Sequence, residues 1–394
     1  MKSKFLSKRY WNDITTPMGE SNDFLKKFND IIDFSLGDPD LTTDERIINA
    51  AFEDAKNGYT HYTDFYGDME LRKEICKYYK DEYAYPVNTE DCMVTTSGCH
   101  AMWLVLEAIL DDGDEVIIPG PYFTPYPQQV KLARGIPVVL ETKEEEEFQI
   151  NAERLEKLIT NRTKAIIINT PNNPTGTCFS LKTLESIAAI AKKYDLLIIA
   201  DDIYTLFSYS EPFIPIMTLK DMRERTISIN SFSKNYVMTG WRIGYVIAPS
   251  YIINTIKDIN ENNVFTAPSI SQRAALYALK NRKEIQPEIV RSYKERILYA
   301  YERITEISNM SVLYPRGSIY LFVNIKETGL SSDEVAKRLL EEAHVLVLPG
   351  NAFGKCGEGY IRLAMTMGID KMNTAFNRIA KMSLFQNQKS HSFA

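Results

Sequence analysis

Short apolar runs alternate with longer amphipathic stretches over the first two thirds of the chain. Five of these runs have the length of buried strands: Glu115–Ile118, Ala165–Asn169, Leu196–Ala200, Thr226–Ile229 and Gly244–Ile247. Between two of them, Leu181–Lys193 has leucine, isoleucine and alanine at helical spacing. Strands that are apolar throughout and separated by helices are typical of a mostly parallel sheet covered on both faces. The pattern therefore predicts a large α/β domain over residues 45–280.

The pattern changes after about residue 281. Helical stretches at Glu284–Ser308 and Ser332–Glu342 alternate with strand-like segments at Ser318–Ile325 and Val345–Leu348. This alternation predicts a smaller α+β unit. A second domain is expected on length alone, because 394 residues exceed the ~250–300 at which a single hydrophobic core usually divides.

Composition narrows the class of protein. A net charge of −6 without a Lys/Arg cluster argues against a nucleic-acid partner. The apolar runs are far shorter than the ~20 residues of a membrane span, and no apolar stretch follows the basic segment Met1–Trp11. The five cysteines are odd in number and form no C-x-x-C pair, which favours a reduced compartment over a disulfide framework or metal site. We expect a cytoplasmic protein without a bound metal.

One lysine lies in a run whose residue types could support covalent chemistry, Ser231-Phe-Ser-Lys234-Asn-Tyr-Val-Met-Thr-Gly240-Trp-Arg242-Ile-Gly244. An amine that forms an imine with a carbonyl cofactor needs fixed positive charge nearby and close backbone packing. Arg242 supplies such a charge, and the two glycines permit close packing. A lysine by itself is most often a solvated surface charge, so the hypothesis depends on this context.

The run resembles the lysine segment of the class I/II aminotransferases, the fold-type I family that uses pyridoxal 5′-phosphate (PLP). Four further segments match the family in the required order: Thr96-Ser97-Gly98, Asn172-Asn173-Pro174-Thr175-Gly176, Asp201-Asp202-Ile203-Tyr204 and Gly359-Tyr360-Ile361-Arg362-Leu363. The resemblance extends from about Ile31 to the helix after Arg362. It implies a large PLP-binding domain with a mostly parallel seven-stranded sheet between helices. It also implies a discontinuous small α+β domain made of residues 1–44 and 281–394.

The resemblance assigns the catalytic residues. Lys234 would hold PLP as an imine and then move the substrate α-proton. Asp201 would stabilise the protonated ring nitrogen, and Tyr204 and Asn173 would donate to the ring's 3-oxygen. Taken alone, an aspartate at this place is more often a helix N-cap and the tyrosine a packed aromatic. Asp202 receives no role.

The resemblance also assigns the remaining cofactor contacts. The phosphate would lie at the start of a helix that contains Ala101–Leu110, where the helix dipole favours an anion. Phe123 is expected to stack on the cofactor ring, with Tyr122 as the alternative. The phosphate contacts are Ser97, Gly98, the backbone amide of Cys99, Ser231, Arg242 and, from the neighbouring subunit of a homodimer, Tyr62.

For the substrate, the resemblance implies that Arg362 binds the α-carboxylate with a planar guanidinium fork. Its alternative is a surface salt bridge, which is less expected inside a strand-like apolar run. Gly37 and Asn173 would line the same pocket. No second arginine carries a motif for dicarboxylate side chains, so aromatic or neutral amino acids are favoured over aspartate.

The predicted activity is transfer of the amino group of an L-α-amino acid to a 2-oxo acid. Two alternatives stay open at this point. A PLP-dependent C–S β-lyase of the cystathionine-cleaving type shares the Lys, Asp, Tyr and Arg residues but releases pyruvate and ammonia. A non-enzymatic PLP-binding sensor is the other, although such regulators carry a basic winged-helix domain ahead of this fold and about 30 residues precede the match here.

Overall fold

A computed structural model describes residues 4–11 and 28–386. The strands are β1 Ile32–Asp33, β2 Cys92–Thr95, β3 Glu115–Gly120, β4 Ile136–Glu141, β5 Thr163–Asn169, β6 Leu197–Asp201, β7 Thr226–Ser231, β8 Gly244–Ile247, β9 Tyr320–Asn324, β10 Val345–Leu346, β11 Leu348–Pro349 and β12 Tyr360–Ala364. The α-helices are α1 Glu45–Lys56, α2 Met69–Tyr83, α3 Ser97–Ile109, α4 Tyr126–Leu132, α5 Ala152–Lys157, α6 Leu181–Lys193, α7 Phe232–Asn235, α8 Ser250–Glu261, α9 Ser269–Lys280, α10 Arg282–Thr305, α11 Ser332–Ala343 and α12 Ile369–Ala380. Within the described ranges, no helix is long and apolar enough to cross a membrane.

A seven-stranded sheet in the order β2-β8-β7-β6-β5-β3-β4 forms the centre of the molecule. Its strands run parallel except at β8, which pairs antiparallel with both β2 and β7. This arrangement confirms the predicted mostly parallel sheet. The sequence interpretation missed β2 and β4. β4 is an edge strand paired only with β3, and Ile136 and Val139 are 39% and 38% exposed, so it lacks the continuous burial that marks the central strands.

Helices cover both faces of this sheet, which explains the apolar runs. Successive strand residues point to opposite faces. On β5, Ile167 packs into the cluster that contains Leu104 of α3. Its neighbours Ile166 and Ile168 pack on the other face with Leu184 of α6. Each such fully buried side chain contributes about 1.5–3 kcal/mol, so every position of a central strand favours an apolar residue.

The C-terminal part of the chain builds a separate hydrophobic cluster. β9 and β12 pair antiparallel, as do β12 and β11, and β1 near the N-terminus pairs in parallel with β10. Side chains of α10, α11 and α12 pack in one cluster with Phe34. The proposed division into residues 45–280 and residues 1–44 plus 281–394 stays a prediction, and residues 1–3, 12–27 and 387–394 of it lie outside the described residues.

Candidate active site

A cavity of about 420 Å³ lies where the parallel strands of the large sheet end. Asn169 and Asp201 are the last residues of β5 and β6, Ser231 is the last of β7, and all three line this cavity. Open α/β sheets bind ligands at this edge, beyond the carboxyl ends of their strands. Its volume falls within the ~300–1,000 Å³ typical of small-molecule sites.

Most of the residues predicted from the sequence meet in this cavity. Two of them do not line it: Arg362 is fully buried in contact with the lining residues Asn173 and Tyr320, and Tyr62 is exposed. The residues that do line it are Gly37, Ser97, Gly98, Cys99, Phe123, Asn173, Asp201, Tyr204, Ser231, Lys234 and Arg242.

The N-terminus of α3 forms one wall and is packed tightly against the sheet. A β-carbon added at Gly98 would lie 3.0 Å from Ile203 Cδ1. One added at Gly244 of β8 would lie 2.9 Å from the backbone nitrogen of Gly98. Thr96, before the helix, makes no side-chain cap, so the first-turn amides of α3 are suited to binding an anion.

Asp201 has one satisfied and one unsatisfied carboxylate oxygen. The Tyr126 hydroxyl donates to Oδ2, whereas Oδ1 is buried without a hydrogen-bond partner. Burial raises the pKa of Asp201 to about 6, although hydrogen bonds from the Tyr126 hydroxyl and the Ile203 backbone lower it. An oxygen in this state is suited to a positively charged donor, which would restore the ordinary acidity of the group.

Lys234 extends from the short helix α7 towards the loop at Gly37. Its Nζ donates to the Gly37 carbonyl oxygen. Ser231 caps α7 by accepting from the Ser233 amide at 3.1 Å. Arg242 lies in the left-handed region at φ 53°, with Nη1 2.9 Å from the Thr239 carbonyl oxygen. The amine, the capping serine and the guanidinium therefore share one wall of the cavity.

Arg362 is fully buried on β12, so the structure rules out its alternative as a surface salt bridge. Its Nη1 donates to Asn173 Oδ1 at 3.0 Å, and its Nη2 donates to the Ser35 carbonyl oxygen. The Nε has no hydrogen-bond partner. The rings of Tyr320 and Phe353 flank the guanidinium, with centroids 4.5 and 4.9 Å from Cζ. Burial lowers the pKa of Arg362.

The two aromatic candidates after β3 occupy different places. Phe123 lines the cavity, edge-on to Tyr126 at a centroid distance of 5.5 Å. Tyr122 packs instead near Gly354, where an added β-carbon would lie 2.9 Å from its Cε1. The geometry thus favours Phe123 over Tyr122 as a residue that contacts a ligand.

Tyr62 does not line its own chain's cavity and is 80% exposed. Its ring is edge-on to Phe265 at a centroid distance of 4.9 Å. Val264 and Phe265 are themselves each 39% exposed. Because the cavity of the same chain does not include it, a role for Tyr62 in binding requires a second copy of the chain.

Among the lining residues that were not assigned from the sequence, Tyr126, Tyr320 and Asp38 carry polar groups that bear on the site. Tyr126 served only to locate Phe123, yet it is the donor to Asp201. Tyr320 comes from β9, 116 positions from the tyrosine that it contacts. Asp38 follows Gly37 directly and accepts from Thr239 Oγ1 at 2.7 Å. The proximity of Asp38 to the predicted Gly37 was the one available signal.

Comparisons with known proteins agree on one family. A family model described as aminotransferase class I and II matches residues 29–379. An aromatic-amino-acid aminotransferase 2 of Thermococcus litoralis is 37% identical over 91% of this chain and 93% of its own length. An aspartate aminotransferase of Pyrococcus abyssi is 38% identical over 91% and 93%. The solved aromatic aminotransferase of Pyrococcus horikoshii is similar with a TM-score of 0.87 and 37% identity, over 91% of this chain and 97% of that one.

Proposed function

This chain belongs to the class I and II aminotransferase family and is a PLP-dependent aminotransferase, and we propose that its amino-group donor is an aromatic L-α-amino acid. The preference for an aromatic donor is inferred from the charged side chains of the cavity wall. Among the described residues that line it, the cationic side chains are Lys234 and Arg242, and Asp38 adds a carboxylate. A donor with a side-chain carboxylate would meet a like charge there.

The residues present fit PLP. The unpartnered Oδ1 of Asp201 suits a protonated ring nitrogen, and the uncapped first turn of α3 suits a phosphate. Ser97, Gly98 and Cys99 would hold that phosphate through this turn, and Ser231 and Arg242 are proposed as its other contacts. When bound, PLP supplies an electron sink for the negative charge that develops at the substrate α-carbon.

Four side chains are proposed to contact the cofactor ring. Asp201 would keep the ring nitrogen protonated through a charge-assisted hydrogen bond, worth about 1.5–3 kcal/mol. Tyr204 and Asn173 would donate to the 3-oxygen. Asn173 Oδ1 already accepts from Arg362, so its amide nitrogen is the atom left for that role. Phe123 would stack on the ring.

Lys234 is proposed as the covalent anchor and the proton carrier. Its Nζ donates to the Gly37 carbonyl oxygen, which holds the amine beside the loop that borders the substrate pocket. Lys234 lines the cavity, where its amine would take the substrate α-proton as a general base and deliver it again as a general acid.

Arg362 is proposed to bind the α-carboxylate. Buried between two rings, its guanidinium has few alternative orientations, and a carboxylate that meets it is desolvated and held strongly. Leu36 and Tyr320, an apolar and an aromatic lining residue without a proposed contact to the cofactor ring, would then lie beside the rest of the substrate. These walls suit an aromatic side chain.

We further propose that the working enzyme is a homodimer in which Tyr62 donates to the phosphate of the partner chain. Tyr62→Ala should weaken PLP binding on the order of tenfold, as expected for a lost hydrogen bond of ~1.4 kcal/mol. Mixed dimers of Tyr62→Ala and Lys234→Ala chains should recover one intact site per dimer. A monomer in sedimentation that retains full PLP affinity would contradict this proposal.

The substrate proposal is tested by comparing kcat/KM for L-phenylalanine and L-aspartate with the same 2-oxo acid. We expect at least a tenfold preference for L-phenylalanine, and Asp38→Asn should reduce that preference by removing the like charge. Equal or better use of L-aspartate by the unaltered enzyme would overturn the aromatic assignment.

Borohydride reduction followed by peptide mass analysis should place the cofactor on Lys234, and a label on another lysine would overturn the proposed anchor.

A further inference from the structure

Tyr320 contacts residues on both sides of the proposed site. It begins β9, is buried, and lines the cavity. Its hydroxyl lies 3.1 Å from the Tyr204 hydroxyl, and its ring centroid lies 4.5 Å from Cζ of Arg362. A β-carbon added at Gly37 would lie 1.9 Å from the Tyr320 hydroxyl oxygen. One side chain thus meets the proposed 3-oxygen donor, the proposed carboxylate-binding residue and the substrate loop.

We propose that Tyr320 is a positioning residue that directs the Tyr204 proton to the cofactor and holds the Arg362 guanidinium flat against its ring. The inference rests on the roles proposed above for Tyr204 and Arg362. It adds a residue from a different part of the chain, and it assigns separate duties to the hydroxyl and the ring of that residue.

The direction of the hydroxyl contact follows from proton counting. A phenol has one proton to donate. If Tyr204 donates its proton to the 3-oxygen, the 3.1 Å contact must use the proton of Tyr320. A hydroxyl that accepts one hydrogen bond becomes a stronger donor in the next. Tyr320 would therefore strengthen the bond from Tyr204 to the cofactor without touching the 3-oxygen itself.

The surroundings of the Tyr204 hydroxyl keep it protonated. Burial raises the pKa of Tyr204 well above its ordinary value, with Tyr320 as the next cause. The other titratable groups that act on it are Asp201, at the end of β6, and Arg362, on β12. Tyr204 therefore stays protonated across the working pH range and serves as a donor, so the strength of its bond depends on what donates to it.

The ring of Tyr320 has a different task. Its centroid lies 4.5 Å from Cζ of Arg362, and the Phe353 ring centroid lies 4.9 Å from the same atom. A desolvated cation over an aromatic face is attracted by the negative charge of the ring face. Phenylalanine at position 320 would keep this contact and lose only the hydroxyl, whereas leucine would lose both. The two substitutions therefore separate the duties.

The experiment is a pH titration of the visible absorbance of the PLP-loaded enzyme, with Tyr320→Phe, Tyr320→Leu and Tyr204→Phe. The absorbance band changes when the bound cofactor loses a proton, and this ionisation leaves negative charge shared with the 3-oxygen. A weaker hydrogen-bond donor to the 3-oxygen stabilises that charge less, so the pH midpoint of the band change rises. We expect Tyr204→Phe to raise the midpoint most, by about 1 pH unit or more, and Tyr320→Phe by roughly half as much. Tyr293→Phe is the matched control, because that buried hydroxyl has no hydrogen-bond partner and should leave the midpoint unchanged.

A second measurement tests the ring: the dissociation constant of 3-phenylpropionate, an unreactive aromatic carboxylate, followed by the same absorbance. Tyr320→Phe should stay within about twofold of the unaltered enzyme, whereas Tyr320→Leu should bind on the order of tenfold more weakly. Circular dichroism verifies folding of each variant.

The outcomes separate the inference from the proposed function. A midpoint unchanged in Tyr320→Phe but raised in Tyr204→Phe would overturn the hydroxyl duty alone. Equal affinity in Tyr320→Phe and Tyr320→Leu would overturn the ring duty. A midpoint unchanged in Tyr204→Phe as well would overturn the proposed role of Tyr204, on which the inference rests.

Discussion

Asp201 and Asp202 are consecutive buried carboxyl groups at the end of β6, yet their surroundings differ. Asp201 lines the cavity with one oxygen unpartnered. Asp202 accepts from Ser228 Oγ at 2.5 Å, and Ser228 in turn lies 3.2 Å from the Tyr79 hydroxyl. Burial raises the pKa of Asp201 to about 6 and that of Asp202 to about 8. Asp201 thus belongs to the cavity, whereas Asp202 belongs to a closed network, the hydrogen-bonded group of Asp202, Ser228 and Tyr79.

The difference teaches which observation identifies a functional carboxylate. Burial and a raised pKa are common to both residues and distinguish neither. What distinguishes Asp201 is an oxygen left without a donor beside a cavity, because native structures rarely leave buried polar atoms unsatisfied. Asp202, with a donor supplied by the fold, fits a structural role. Four predictions test this contrast.

The first prediction concerns turnover. Asp201→Asn replaces the charged partner of the cofactor ring nitrogen by a neutral amide, and kcat should fall on the order of a hundredfold, matching the upper range of a charge-assisted hydrogen bond. Asp202→Asn should stay within about threefold, because the amide oxygen can still accept from Ser228. Steady-state kinetics on both variants decides this, and equal losses would remove the contrast.

The second prediction concerns stability against pH in the cofactor-free protein. The folded-state pKa of Asp202, about 8, lies above its ordinary 3.8, so the folded state binds more protons between these values. The free energy of unfolding should therefore fall as pH rises through this window, by up to about 1.4 kcal/mol per pH unit from this group. The corresponding window for Asp201 ends near pH 6.

Urea denaturation from pH 5 to pH 8.5 measures both windows. Asp202→Asn should flatten the decline between pH 6 and pH 8. Asp201→Asn should change the slope mainly below about pH 6, and it should also move the upper end of the decline to lower pH because the Asp201 charge helps to raise the pKa of Asp202. A decline between pH 6 and pH 8 that persists in Asp202→Asn would show that another group causes it.

The third prediction concerns the donor to Asp201. Tyr126→Phe removes the hydroxyl that donates to Oδ2, which should raise the pKa of Asp201 further and weaken its bond to the ring nitrogen. We expect kcat to fall by about tenfold, as for one lost hydrogen bond to a charged group. Tyr122→Phe, outside the cavity, is the matched control and should retain activity. An unchanged kcat in Tyr126→Phe would mean that Oδ2 needs no donor.

The fourth prediction concerns the closed network. Ser228→Ala removes the donor to Asp202 Oδ2, and the free energy of unfolding should fall by about 1–3 kcal/mol because a buried acceptor is left unsatisfied. Turnover should not change. Ser186→Ala, on the exposed face of α6, is the control and should lose less than about 0.5 kcal/mol. A loss of turnover in Ser228→Ala would connect the network to the site.

The sequence predicted the parts of the fold where one physical rule dominates. Strands β3, β5, β6, β7 and β8 are buried on both faces, so continuous apolar runs revealed them. The edge strand β4 has a comparable run, Ile136–Leu140, but Pro137 lies inside it and is atypical of a central strand. Motif residues at strand ends could be assigned to one cavity because parallel strands end at one edge.

Side-chain relations across distant segments could not be predicted. Nothing local in the chain marks Tyr320 as the partner of Tyr204, since tyrosine is frequent here and the contact spans 116 positions. The different environments of Asp201 and Asp202 likewise depend on Tyr126 and Ser228, which other elements bring into place. The roles assigned to these site residues stay predictions until they are tested.

The most direct test of the account is the visible absorbance of the PLP-loaded enzyme when L-phenylalanine is added without any 2-oxo acid. We expect the band to be lost and to stay lost, one phenylpyruvate to form per cofactor, and a 2-oxo acid then to restore the band. Asp201→Asn should slow this single conversion far more than Asp202→Asn. Two results would contradict this function. In one, L-phenylalanine leaves the band unchanged while L-aspartate converts it. In the other, L-cystathionine is added and the band returns on its own as pyruvate and ammonia accumulate.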